Sequence, residues 1–219
     1  DAFYMLISTV IVFVSGASAL LRADEVTLWL VQVLVMVAFS VLLFTWLFGG
    51  RRRSIHLMLL VGIVLGAGAT IVTVDHHRGS EEHQPGWEYH DTTLVDPHTG
   101  TLDTSARFRR TMFDADLEQT VIGVLAPSTV ASRIWGSPAD FVFIDGGHSM
   151  EAAQNDLDGW APWVRIGGAL LIHDVFPDPA DGGRPPYEIY CQALATGQFT
   201  EVRVEGSLRV LRRDTGVVG

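Results

Sequence analysis

The sequence predicts an α/β protein whose strands form a mostly parallel, doubly wound sheet that ends in an antiparallel strand pair and follows a very apolar amino-terminal region. Two observations predict the sheet. From about residue 67, short β-branched or aliphatic runs alternate with segments of helical apolar spacing. Several of those runs stop at an acid, as at Asp75, Asp145 and the His173-Asp174 pair. A third observation sets the first part of the chain apart. Residues 2–21, 26–50 and 54–74 carry no charge, and these runs of 20, 25 and 21 residues are as long as a membrane span.

The organisation that follows is an apolar region over 1–50 and an α/β domain over 51–219. Two dispositions of the apolar region stay open. Runs 2–21 and 26–50, broken by Arg22, Asp24 and Glu25, read as a transmembrane hairpin, with Arg51, Arg52 and Arg53 holding its end on the cytoplasmic side. On that reading the domain is cytoplasmic, anchored by its amino-terminal region, and run 54–74 folds into it. Alternatively the runs are deeply buried soluble core. A cleavable signal peptide is not apparent, since no basic stretch precedes the first run and a second run follows at once.

Within the domain, Ala69–Asp75 reads as a buried parallel strand. Residues 76–104, polar and rich in His, Gly and Pro, read as a long loop, and 105–119 as a helix. Val121–Leu125 is the next strand, followed by a Pro-Ser-Thr turn. Phe141–Ile144 is a strand leading into Asp145-Gly-Gly-His148. Residues 149–164 read as a helix with Ala152, Ala153, Leu157 and Trp160 inward, closed by Gly167-Gly168. Ala169–Ile172 is a strand, 175–186 a loop and 187–196 a helix. Phe199–Val204 and Ser207–Leu211 form the closing pair.

Charge and composition narrow the function classes. The net charge is −10, and all of that imbalance lies in residues 76–219, which hold 11 Arg and 21 acids. Such a domain repels phosphate backbones, which argues against a nucleic-acid partner. The single cysteine, Cys191, excludes an internal disulfide and a cysteine-cluster metal site. His76, His77, His83, His90 and His98 fit no closed zinc spacing, so their segment reads as a substrate-facing lid. Association with a membrane and assembly into a homo-oligomer both stay open.

Phe141-Val-Phe-Ile-Asp-Gly-Gly-His-Ser-Met-Glu-Ala-Ala, then Trp160, then Arg165-Ile-Gly-Gly-Ala-Leu-Leu-Ile-His-Asp174 resembles the second half of class I S-adenosylmethionine (SAM)-dependent methyltransferases, and among them the O-methyltransferases of small molecules. The resemblance covers roughly residues 67–213. It implies a Rossmann-like sheet, SAM as cofactor and a small-molecule hydroxyl as substrate. It further implies that Asp75, with His76, meets the cofactor ribose. Asp116 and Ser128 would border the adenine. Relatives hold a magnesium-type divalent ion with the layout of Asp145, His173 and Asp174, usually through Asp, Glu and Asp. Here the middle position is His173, a nitrogen donor, so beside a magnesium-type ion at these three residues, further readings stay open: another divalent metal, a metal held by the two Asp alone, or a metal-free site. A His at the spacing of His148 takes the proton from the attacking hydroxyl in similar enzymes; the alternative is a His capping the helix that starts near Ser149.

One part of the pattern departs from the family. Its first strand normally ends in an acid and a Gly-rich turn that meets the cofactor's carboxylate. The counterpart here is Leu47-Phe-Gly-Gly-Arg-Arg-Arg-Ser54, with Gly49 and Gly50 as the cofactor-binding glycines and residues 41–48 as the first strand. No acid precedes those glycines, and three Arg crowd the turn. A rival reading is therefore a membrane-anchored, non-catalytic protein with a degenerate methyltransferase fold.

Overall fold

The computed structural model describes residues 9–15 and 69–219 apart from Glu88, with backbone alone at 9–15. Seven strands form one sheet in the order β3-β2-β1-β4-β5-β7-β6. They are β1 (Thr9–Ser15), β2 (Ala69–Asp75), β3 (Val121–Leu125), β4 (Ala139–Asp145), β5 (Val164–Ile172), β6 (Phe199–Glu205) and β7 (Leu208–Arg213). The helices are α1 (Ser105–Asp114), α2 (Ser128–Ile134), α3 (Met150–Trp160) and α4 (Pro185–Ala195). The β2–β3 and β4–β5 pairs are parallel. β7 is antiparallel to both β5 and β6, as the closing pair predicted.

The centre of the sheet differs from expectation. The slot between β2 and β4 is filled by residues 9–15, and β1 runs antiparallel to both neighbours; residues 41–48, expected as the first strand, lie outside the described residues. Val12, for instance, lies opposite Val72 on one side and Val142 on the other. Both edges of the slot are thereby paired, which leaves no room there for a second strand. The sequence Thr-Val-Ile-Val-Phe-Val-Ser suits this place, because β-branched and aromatic side chains favour the extended backbone. Residues 9–15 are thus a sheet strand rather than part of a membrane helix. Among the described residues no helix is long and apolar enough to cross a membrane. The other parts of the apolar runs, with Gly49, Gly50 and the Arg triplet, lie outside the described residues.

Two apolar layers flank the sheet. On one face α2 packs on α3 and α3 on α4, over Val74, Val142, Ile144, Leu170 and Ile172. Trp160, fully buried, anchors that layer. On the other face α1 brings Met112 against Ile71, Val121 and Phe143. α3 starts where Ser149 caps it by accepting the Ala152 N–H at 3.2 Å. It ends at Trp160, earlier than predicted, and Pro162 lies in the 3-10 turn Ala161–Trp163 that follows. The Gly167-Gly168 pair then forms a bulge inside β5 rather than closing the helix. Gly167 takes φ +78°, and a Cβ at Gly168 would stand 2.7 Å from the Asp140 carbonyl oxygen. The predicted turn after β3 is the short helix α2.

Candidate active site

Because β2, β4 and β5 point the same way, Asp75, Asp145 and His173-Asp174 reach one edge of the sheet. Ligands of open α/β sheets bind at such carboxyl ends. Gly146-Gly147 carries the chain from β4 to α3 and sets His148 just before the Ser149 cap. The capping oxygen is that of Ser149, so His148 is free of the capping role.

His148 joins two carboxylates. Its Nδ1 lies 3.0 Å from Glu82 Oε1 and its Nε2 lies 3.1 Å from Asp174 Oδ2. Glu82 comes from the 3-10 turn Glu81–His83, inside the segment predicted as a lid. The contact with Asp174, then the charge of Glu82, raises the His148 pKa above its ordinary value against the opposing effect of burial. On the other side of Asp174 stands His173. Its Nδ1 is 3.1 Å from Asp145 Oδ1 and 3.1 Å from Asp174 Oδ1. That nitrogen is buried, and neither contact has the alignment of a hydrogen bond. The approach of Asp145, then of Asp174, pushes His173 up to about 10. Burial alone would raise Asp174, but His148 and His173 hold its carboxyl well below the usual range. Asp174 also adopts φ +54°, uncommon for a residue with a side chain.

The remaining predicted residues fall in different places. Asp75 is buried at the end of β2 and accepts the His77 N–H at 2.7 Å. His76, beside it, accepts the Arg78 N–H at 3.0 Å. Ser128 opens α2, donates to Asp156 Oδ1 at 2.5 Å and accepts the Trp160 indole N–H at 2.7 Å. Asp116 is not brought to the site. It sits in the turn before β3, at the opposite edge of the sheet, because Val121 pairs with Ile71 at the start of β2.

A cleft of about 410 Å³ opens beside the His148 cluster, lined among others by His76, Ser80, Glu82, Trp87, Gly147 and His148. Its volume suits a small ligand. The lid histidines do not gather on a metal; they hold the loop. His77 Nδ1 pairs with Thr104 Oγ1 at 2.9 Å, His83 Nδ1 with Ser80 Oγ at 2.8 Å, and His90 Nδ1 with the His83 carbonyl oxygen at 2.9 Å. Among the described residues the ligand-type group is Asp145, His173 and Asp174, with donor atoms all within 4.8 Å of one another.

Comparison with known proteins bears on the fold and family. A family model for a methyltransferase domain matches residues 56–175. The chain belongs to the methyltransferase domain family. Among solved structures, the O-methyltransferase NovP is similar at a TM-score of 0.50 and 14% identity, over 73% of this chain and 68% of that one. An O-methyltransferase family protein from Burkholderia thailandensis is similar at 23% identity and a TM-score of 0.42, over 52% and 42% of the two chains. At these identities the likeness concerns the fold. The curated relatives match a different kind of protein. FatC of Bacillus anthracis, a petrobactin import system permease protein, is 42% identical over 73 residues, 33% of this chain. The chain spans about a fifth (21%) of the length of that protein and of its Bacillus subtilis counterpart YclO.

Glu82 was not found by sequence reasoning. It is one of two adjacent acids in a polar loop, 66 positions from the His148 it meets, and no local pattern marks it.

Proposed function

We propose that the domain transfers a methyl group from SAM to a hydroxyl of a small molecule, with a divalent metal at Asp145, His173 and Asp174. The observation that carries this reading is the convergence of His148 with those three groups beside the cleft. Bound SAM would supply an electrophilic methyl on a positive sulfur. The residues fit a metal as well, since a buried, unaligned imidazole nitrogen faces two carboxylates. A metal held there would lower the pKa of a hydroxyl placed against it.

The protein's own groups do the rest. Glu82 at Nδ1 orients the ring, and once Asp174 is drawn away from Nε2 that nitrogen would be free to accept a proton. A substrate hydroxyl would replace Asp174 as the partner of Nε2. His148 Nε2 would take that proton, leaving the oxygen's electron pair to bond to the methyl carbon that SAM would supply, with sulfur keeping the electron pair of the old bond. The predicted lid segment brings Glu82 and Trp87 to the wall of the cleft. Asp75 and His76, at the adjacent strand end, are the groups for the cofactor ribose.

Calorimetric titration of the full chain with SAM tests the cofactor half: millimolar SAM without heat would overturn the proposal. His148→Ala is expected to leave SAM affinity within about twofold and to slow methyl transfer about a hundredfold or more.

A second reading is favoured by the permease likeness together with the apolar run 26–50, which lies outside the described residues. In it the amino-terminal region is membrane-type sequence and the domain is anchored and non-catalytic. Recovery only with detergent supports it; recovery in the soluble fraction removes it.

A further inference from the structure

We propose that Asp145, His173 and Asp174 form a mixed nitrogen–oxygen site that selects a first-row transition ion, with Co²⁺ and Zn²⁺ above Mn²⁺, over Mg²⁺. This rests on the metal reading above but not on methyl transfer.

The geometry is that of ligands around a shared centre. His173 Nδ1 stands 3.1 Å from one oxygen of Asp145 and 3.1 Å from one oxygen of Asp174. Two donors each about 2.1 Å from one ion and at right angles to each other are separated by about 3.0 Å. The same distances serve an ion pair between a protonated His173 and the two carboxylates, and a metal would take the place of the proton at Nδ1.

The ring is held in that attitude by its surroundings. The backbone N–H of His173 donates to the Ile144 carbonyl at 3.1 Å, tying the end of β5 to the end of β4. The ring packs at 6.2 Å from that of Phe143. The backbone of His173 is therefore fixed at the carboxyl edge of the sheet, beside both carboxylates.

The donor chemistry decides between ions. Mg²⁺ requires a near-ideal shell of oxygens and parts reluctantly with its water. Imidazole adds little to such a shell. It binds more strongly along the series from Mn²⁺ through Co²⁺, and Zn²⁺ accepts nitrogen and carboxylate together. A carboxylate in place of His173 would give an all-oxygen site suited to Mg²⁺; the imidazole reverses the preference.

The test uses the metal-stripped full chain titrated separately with MgCl₂, MnCl₂ and CoCl₂. Affinity is read by calorimetry, and nitrogen coordination by pulsed EPR of bound Mn²⁺. The expected result is Co²⁺ binding at least about a hundredfold tighter than Mg²⁺, with nitrogen coupling on Mn²⁺. His173→Asp is expected to compress that ratio to about tenfold or less, remove the nitrogen coupling and keep Mg²⁺ binding. Asp145→Asn is expected to weaken all three ions, which separates this site from adventitious binding by the lid histidines. Equal affinity for Mg²⁺ and Co²⁺ overturns the inference. So does a ratio unchanged in His173→Asp, or no tight metal at all. SAM titrated in parallel keeps the two readings apart: SAM bound without metal selectivity sinks this inference alone, and selectivity without SAM binding sinks the methyltransferase reading alone.

Discussion

Asp156→Asn should make the protein more stable at neutral pH and erase part of its pH dependence. Asp156 lies on the buried side of α3, 6% exposed, beneath the Gly146 turn of the site. A Cβ on Gly146 would stand 2.5 Å from its Oδ2, so the chain crosses it closely. Burial lifts its pKa from 3.8 to about 6, while the bond from Ser128 acts the other way. The folded state therefore binds this proton more tightly than the unfolded state. The resulting stability is fully present below about pH 4 and is lost as the pH rises through about 6; above that the deficit is constant. Two units correspond to about 3 kcal/mol. Asn is neutral throughout and still offers an oxygen to Ser128. Some of the gain is spent on an amide group facing Gly146, which leaves an expected net of roughly 1–2 kcal/mol at pH 7.5. Urea unfolding at half-unit intervals from pH 4.5 to 8 measures it. The wild type should lose stability relative to the variant across pH 4–6 and run parallel to it above. An unchanged difference between the two proteins across that window would falsify the raised pKa of the buried Asp156.

Two further perturbations probe the frame. Arg213 is 2% exposed and has no carboxylate partner among the described residues; it donates to the carbonyls of Ala161, Pro162, Val164, Thr215 and Val217 and to Gln198 Oε1. Arg213→Met is expected to cost roughly 3–5 kcal/mol in chemical unfolding, because it strands those acceptors, and a loss under about 1 kcal/mol would refute the stapling role. Val12→Pro removes a ladder N–H from a strand paired on both sides, whichever neighbour that N–H faces, and is expected to cost roughly 2–4 kcal/mol in the same assay. A Val12→Pro protein as stable as the wild type would mean that 9–15 is not the central strand.

Much of the domain was legible because its signals are local. β2, β4 and β5 read as strands from apolar runs stopped by an acid or by His-Asp, and the direction of each strand then gathers Asp75, Asp145 and Asp174 at one edge. α3 was legible from Ala153, Leu157 and Trp160 on one face, and the closing pair as two short strands in succession. The misses have non-local causes. α2 is seven residues with Thr129 and Val130 near its start, too short for a helical period to show. Asp116 looked like a site acid until the register of β3 against β2 placed it at the far edge. Glu82 meets His148 only through the fold of the lid. The centre of the sheet was the hardest, since 9–15 and 41–48 are both apolar enough for a buried strand and no periodicity separates them.

The reversed central strand has a consequence for chemistry. A strand flanked on both sides can satisfy its hydrogen bonds in either direction, so the sheet and its two apolar layers tolerate an antiparallel β1. The ligand edge is less tolerant. A parallel strand there would deliver its carboxyl end, and with it a glycine turn, between Asp75 and Asp145. The antiparallel β1 delivers its amino end instead: Thr9 lies opposite Asp145, and the chain leaves β1 at the other edge. The groups that would hold metal and proton come from β4, β5, α3 and the lid, and none depends on the direction of β1. The groups for the cofactor's amino-acid end do depend on it. SAM affinity thus reports on the centre of the sheet, metal affinity reports on the ends of β4 and β5, and the two can be lost separately in this protein.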